Sequence, residues 1–346
     1  MSSTDLVTFP GRGGTGAESG RPGVGRAHGK AILLGEHAVV YGAPALVMPM
    51  PQLTVTVHAT RFACPGDGAD KISFAIAGQH PAPVTPLVTD GLRYLVEKFR
   101  ERAAVAGRMC ADVLIDSGIP QGRGLGSSAA CARAAVLALA DAFGRPLDAA
   151  AVYDLVQASE TVAHGRASGI DALATGATAP LLFRGGSARE LPITMSGGPS
   201  RFDGVFIVAD SGAGGSTKEA VELLRDRFEQ DEKIKEAFVR RVSELTTAAL
   251  RDLDDGRLTG FGARLTENHR LLRDLGISTE PIDAMVEAAL AAGGLGAKIT
   301  GGGLGGCMIA LAGDPGQAEA VAHGIEAAGA VRTWVVPVGR FASHDR

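Results

Sequence analysis

The 346-residue sequence is short of several things, and each shortage excludes a class of function. Neither sign of charge dominates: 34 lysines and arginines stand against 38 aspartates and glutamates, for a net charge of -4. That balance offers no electrostatic footprint for nucleic acid or for an anionic membrane. Cysteine is scarce. Cys64, Cys110, Cys131 and Cys307 are far apart and show no C-x-x-C spacing, so neither a zinc site nor a disulfide framework is predicted, and reduced, cytosolic thiols are the default. No run of about 18 apolar residues occurs, and the polar, glycine-rich stretch from Met1 to Arg26 lacks the apolar core of a signal peptide. The expectation is a cytoplasmic protein whose partners are small molecules, with no nucleic acid and no membrane.

What the chain does have is length, apolar residues and glycine. At 346 residues and 45% hydrophobic it can bury a substantial core, and two domains of ordinary size are expected. Glycine supplies 48 residues, about twice its usual ~7% share, and much of it is clustered, as in loops with a task. "GRGGTG", Gly11 to Gly16, formally fits G-x-G-x-x-G, but no strand precedes it and no helix follows. Lys30 follows a glycine, yet Val24 stands where a Walker loop needs glycine and Ala31 where it needs Ser or Thr. Both familiar phosphate loops are thereby excluded.

Helical spacing is predicted for Thr85 to Ala106, Ala129 to Phe143 and Leu147 to His164, then over a long charged stretch from Thr217, and again from Thr259, Ile282 and Pro315. Strands are predicted from Leu53 and Lys71, from Asp112, over Gly204 to Asp210, and in "AKIT", "CMIALAG" and "RTWVVPVG". Between Lys30 and Met50 strand and turn are both present. The irregular alternation makes the class α+β rather than a doubly wound parallel sheet. Residues 1–26 are expected as a disordered tail, 27–200 as an N-terminal ATP-binding domain and 201–346 as a C-terminal domain.

The most informative stretch is "PQGRGLGSSAACARAA", three glycines and two serines placed directly before an alanine-rich helix. The first backbone N–H groups of a helix lack intrahelical partners, and the aligned peptide dipoles favour an anion there. Phosphate is the natural guest. With "GKAILLGEHAVVYG" before it and "KITGGGLGGCMIAL" after it, the segment resembles the three ordered motifs of the GHMP kinase superfamily, over roughly residues 27–340. "GEHAVVYG", "HGRASGID", "ADSGAGGSTKEAV" and "ENHRLLRDLGIS" further resemble its mevalonate kinase branch. Two departures stand out: His28 replaces a proline before Gly29, a change expected in a turn, and Arg166-Ala167 replace Asn-Pro.

The resemblance implies a ribosomal-S5-like N-terminal domain, a ferredoxin-like C-terminal domain and a cleft between them. It implies ATP and Mg²⁺ as cofactors, mevalonate as substrate and homodimers in many members. The alternatives are a sister kinase acting on phosphomevalonate, on another hydroxyl of mevalonate or on a sugar, and a non-catalytic nucleotide-binding sensor of the same fold, which should have lost Lys30 or Asp171. Gly122, Arg123, Gly124, Leu125, Gly126, Ser127, Ser128 and Ala129 are the expected ATP cradle. Ser127, Ser128 and Glu160 are the expected metal ligands. Asp171 is either the proton acceptor of the substrate hydroxyl or an N-cap, and Lys30 is expected to steady the transferred charge. Glu36, His37 and Thr217, with Ser216 beside the last, are expected to touch substrate or to cap and pack. Cys307 is expected to be a small buried hydrophobe.

Overall fold

The structure, a computed structural model, describes residues 21–64, 70–77, 82–83, 86–164, 167–191 and 202–337. The first half builds one sheet from β1 (Gly23–Leu34), β2 (Ala45–Arg61), β3 (Lys71–Ile76), β4 (Ala82–Pro83), β5 (Cys110–Ser117), β6 (Leu181–Arg184) and β7 (Ser187–Glu190). The order is β4-β3-β5-β2-β6-β7, with β1 antiparallel to β2 along its other side. Helices α1 (Pro86–Arg102), α2 (Ser127–Ala142), α3 (Ala149–His164) and the short α4 (Ile170–Ala174) accompany it. The second half contributes β8 (Val205–Asp210), then α5 (Thr217–Gln230), α6 (Glu232–Asp254), α7 (Leu258–Asp274) and α8 (Glu280–Ala291), then β9 (Gly296–Thr300), β10 (Cys307–Ala312), α9 (Pro315–Ala327) and β11 (Arg332–Pro337). Its sheet is antiparallel throughout and ordered β11-β8-β10-β9, the fourth, first, third and second strands of that half, as in a ferredoxin-like fold. The class is α+β, with one sheet and its own helices in each half of the chain.

Several expectations shift. β1 begins at Gly23, inside the stretch expected as a tail, and the reason lies in its partner. A Cβ on Gly23 or Gly25 would collide with the α2 backbone at Ala138 and Ala134, so these glycines and the buried alanines of α2 let strand and helix meet backbone to backbone. Residues 1–20, "GRGGTG" among them, lie outside the described residues, as does the expected domain boundary near residue 200. β2 starts well before Leu53, because the ladder to β1 shifts register between His28 and Gly29 and accommodates Pro51 at a bulge, after which it continues through Pro49 opposite Lys30. His28 therefore sits within a strand, not a turn, with its ring nitrogens 2.9 Å from the carbonyls of Gly29 and Ala177. The long charged stretch is two helices, because Asp231 leaves the helix and caps α6 through the N–H groups of Lys233 and Ile234. Among the described residues no helix is long and apolar enough to cross a membrane.

The thiols depart furthest from expectation. Cys64 and Cys110 form a disulfide, with Cα atoms 5.5 Å apart. Spacing could not reveal it: β2 pairs with β5 through Arg61 and Ala111, and the Phe62 N–H donates to the Cys110 carbonyl, which brings Cys64 alongside. Cys131 and Cys307 remain thiols, and burial pushes Cys131 up to about 11 and Cys307 further up, so Cys307 is the inert core residue expected. The bridge closes a loop of sequence separation 46, worth about 2–4 kcal/mol in chain entropy. Urea unfolding with and without reductant is predicted to differ by that amount, and non-reducing peptide mapping should join Cys64 to Cys110. Quantitative alkylation of both cysteines in unreduced, denatured protein would remove the bridge from the account.

Candidate active site

Lys30 is delivered by β1 into the interior, only 3% exposed. Its N–H donates to the Leu125 carbonyl at 3.0 Å, its Nζ donates to the Gly124 carbonyl at 3.0 Å, and the same Nζ lies 3.1 Å from Asp171 Oδ1. One lysine thus ties the first motif to the glycine loop and to α4. Gly169, with φ 89°, is the N-cap of α4, which places Asp171 in the first turn with its carboxylate facing the cavity. The capping alternative for Asp171 is excluded.

The glycine loop has a repeating backbone. Gly122, Gly124 and Gly126 have φ of 66°, 75° and 74°, while Arg123 and Leu125 between them do not enter the left-handed region. Such alternation turns successive N–H groups toward a common concavity suited to an anion. Gly126 is the N-cap of α2, no side chain caps that helix, and its first turn contains no acidic residue. The positive end of a 16-residue helix is left for another group.

The loop between β9 and β10 closes on this one from the other domain. A Cβ on Gly301 would lie 2.6 Å from Gly124 Cα, and one on Gly306 would lie 2.9 Å from the Arg123 carbonyl, so both contacts require glycine. Arg123 turns its guanidinium away, to Asp210 at 2.9 Å and to the Gly212 carbonyl at 2.7 Å; only its backbone remains for the cradle. Leu125 and Ala129 are fully buried, Ser127 is half-buried and Ser128 exposed, so the first two can also contribute only backbone. Ser216 accepts from the Glu219 N–H and is the α5 N-cap, the capping alternative expected for it.

The cavity between the domains is lined by Lys30, Glu36, His37, Glu160, Asp171 and Thr217, with Gly124, Gly301 and Gly302 at the loops. Ala167 also lines it, whereas Arg166 lies outside the described residues. Glu36 is ion-paired with Lys298, both almost wholly buried, and burial raises the carboxyl and lowers the ammonium from their ordinary values. His37 has φ 59°, and burial with the nearby Lys298 charge lowers it to about 4, so its ring is neutral at neutral pH.

A family model described as the GHMP kinases N-terminal domain matches residues 87–177, and one described as the GHMP kinases C-terminal matches residues 248–331. The chain is 34% identical to a mevalonate kinase of Pyrococcus horikoshii over 322 residues, 87% of this chain and 91% of that one. The chain belongs to the GHMP kinases. Among solved structures, a mevalonate kinase from methicillin-resistant Staphylococcus aureus is 28% identical with TM-score 0.68, covering 92% of this chain and 99% of that one. The L. major mevalonate kinase in complex with R-mevalonate, at 22% identity and TM-score 0.72 over 92% of this chain and 98% of that one, shares the fold.

Two residues of this GHMP kinase escaped the motif reading. Arg133, on the glycine-loop helix, donates to the Ala172 carbonyl at 2.8 Å and so braces α2 against the helix that carries Asp171. Lys298 was hidden in "AKIT", where a lone lysine inside a buried strand is the available signal. The loop geometry also sharpens what Gly126 does: a Cβ there would lie 3.0 Å from Lys30 Cγ and 3.1 Å from Cε, at a φ that a β-branched residue resists. Gly126→Val is predicted to keep its circular dichroism while losing at least about tenfold in ATP affinity by calorimetry, a cost in the range of local backbone strain. Parental affinity in a folded variant would reduce the glycine to a turn residue.

Proposed function

We propose that this kinase transfers the γ-phosphoryl group of ATP to the 5-hydroxyl of mevalonate, forming mevalonate 5-phosphate for isoprenoid precursor synthesis. The observation that carries the reading is the Lys30–Asp171 pair, 3.1 Å apart at the wall of a cavity that Gly124 of the glycine loop also lines, two residues before the uncapped N-terminus of α2. Phosphoryl transfer to an alcohol calls for positioning and charge stabilisation more than covalent chemistry. Asp171 accepts the proton of the attacking hydroxyl. Lys30 lowers that hydroxyl's pKa and neutralises charge on the transferred group. The N–H groups from Gly122 to Ala129 hold the β- and γ-phosphates, and the 34%-identical relative is named for the same activity.

The donor set suits Mg²⁺. Among the described residues no cluster of three or more His, Cys, Asp or Glu could form an all-protein cage, and besides the Lys298-paired Glu36 one carboxylate, Glu160, is buried at the cavity wall. Mg²⁺ keeps several waters and takes phosphate oxygens, so Glu160 with the hydroxyl of Ser127 or Ser128 completes what the protein must provide. When bound, the ion neutralises phosphate charge.

A coupled assay over mevalonate, phosphomevalonate, homoserine and galactose tests the substrate, with turnover expected on mevalonate. Asp171→Asn is predicted to lower kcat by about 10²–10⁴-fold with nucleotide binding retained. A kcat within about threefold of the parent would strip Asp171 of the base role. Glu160→Gln should shift the magnesium titration at saturating ATP to higher concentration while leaving the mevalonate KM nearly constant. An unchanged magnesium curve contradicts the ligand assignment.

A further inference from the structure

We infer that Lys298 is a positioning residue for substrate recognition: from the second sheet it fixes the Glu36 carboxyl so that Oε2 accepts a hydrogen bond from a substrate hydroxyl other than the one phosphorylated. The inference rests on the mevalonate reading above, in which that group is the 3-hydroxyl.

Lys298 is fully enclosed on β9. Its Nζ donates to Glu36 Oε1, to the Ile299 carbonyl at 2.5 Å and, more distantly, to the Ile32 carbonyl at 3.5 Å. All three ammonium hydrogens therefore have acceptors, and two of those acceptors belong to the first domain. A buried ion pair is poor value for stability, since apolar residues of similar volume commonly serve as well or better. Its retention calls for a positional explanation, and Glu36 supplies one. The carboxyl is 2% exposed, and Oε1 is held by Lys298. Oε2 is buried without a hydrogen-bond partner, in a residue that lines the cavity. An unsatisfied buried carboxylate oxygen is costly, and only a donor can relieve it. The substrate's own carboxylate cannot fill that role, because it would meet like charge. A hydroxyl can.

The neighbourhood is built to hold this geometry. Thr300, two residues beyond Lys298 on the same strand, exchanges hydrogen bonds with β1: its Oγ1 accepts from the Ile32 N–H at 3.0 Å and donates to the Ile32 carbonyl at 2.9 Å. Glu36 thus takes its aim from the docked second domain. His37, next in sequence, has a buried Nε2 without a partner and lines the same cavity, which extends the polar wall facing the substrate.

The test compares mevalonate with 5-hydroxy-3-methylpentanoate, which lacks only the 3-hydroxyl, in steady-state assays of three proteins: the parent, Lys298→Met, and Glu36→Leu/Lys298→Met. The double variant replaces the pair with apolar side chains and is expected to stay folded. The parent should favour mevalonate over the analogue by about 10–100-fold in kcat/KM, the range of a hydrogen bond to a charged group. Both variants should raise the mevalonate KM by a similar factor, leave the ATP KM within about twofold and turn over the analogue nearly as the parent does. The single variant should be no milder than the double, since Lys298 acts through Glu36. If Lys298→Met does not fold, the double variant decides alone. Retained discrimination between the two compounds in either folded variant, or equal losses on both, overturns the inference and leaves the mevalonate reading intact. A parent enzyme that phosphorylates neither compound overturns that reading and the inference with it.

Discussion

Backbone must meet backbone where the two domains close, and the site depends on that constraint. Gly124 and Gly301 approach so nearly that either Cβ would enter the other's backbone. The Arg123–Asp210 ion pair and the Gly215 N–H donating to the Gly122 carbonyl tie the glycine loop to the end of β8 and the segment after it. Only with the loops in register does the first domain's glycine loop share a cavity with Thr217 and Gly302 of the second. The positive φ values of the glycine loop are also those that suit a backbone concavity for an anion, so the geometry that joins the domains is compatible with the proposed phosphate cradle.

Around that frame the two buried lysines come from different domains. Lys30 enters from β1 and faces Asp171, which is 35% exposed and open to the cavity; Lys298 enters from β9 and faces Glu36, which is 2% exposed. In the proposed mechanism the exposed partner faces the attacking hydroxyl, while the enclosed one is held for recognition. On that reading the two lysine-paired carboxylates of the cavity differ in task because they differ in enclosure. His37 adds a polar wall without adding charge, because burial and Lys298 keep its ring neutral.

Much of the fold was legible. Helix and strand periodicity located α2, α3, α7, α8 and the late strands to within a few residues, since their apolar faces repeat with the period of the element that buries them. The misreadings have physical causes. Gly23 and Gly25 looked like tail because glycine reads as loop, yet they are strand residues pressed against α2. Asp231 divides a continuous helical pattern, since a capping aspartate also scores as an ordinary polar residue on a helix face. Cys64 and Cys110 looked unrelated because only the pairing of β2 with β5 makes them neighbours.

The sequence by itself determined where the glycine loop lies and singled out Lys30 and Asp171 as candidates, because local backbone demands select glycine and short-range patterns place charges beside it. It also carried the family, in three motifs that keep their order. Only the tertiary structure decided that Lys30 touches both Gly124 and Asp171, that Arg123 serves the domain closure, that Ser216 is a cap and that Lys298 reaches Glu36. These are relations between residues far apart in the chain. Distance in space follows from sheet register and domain docking, which no local pattern encodes.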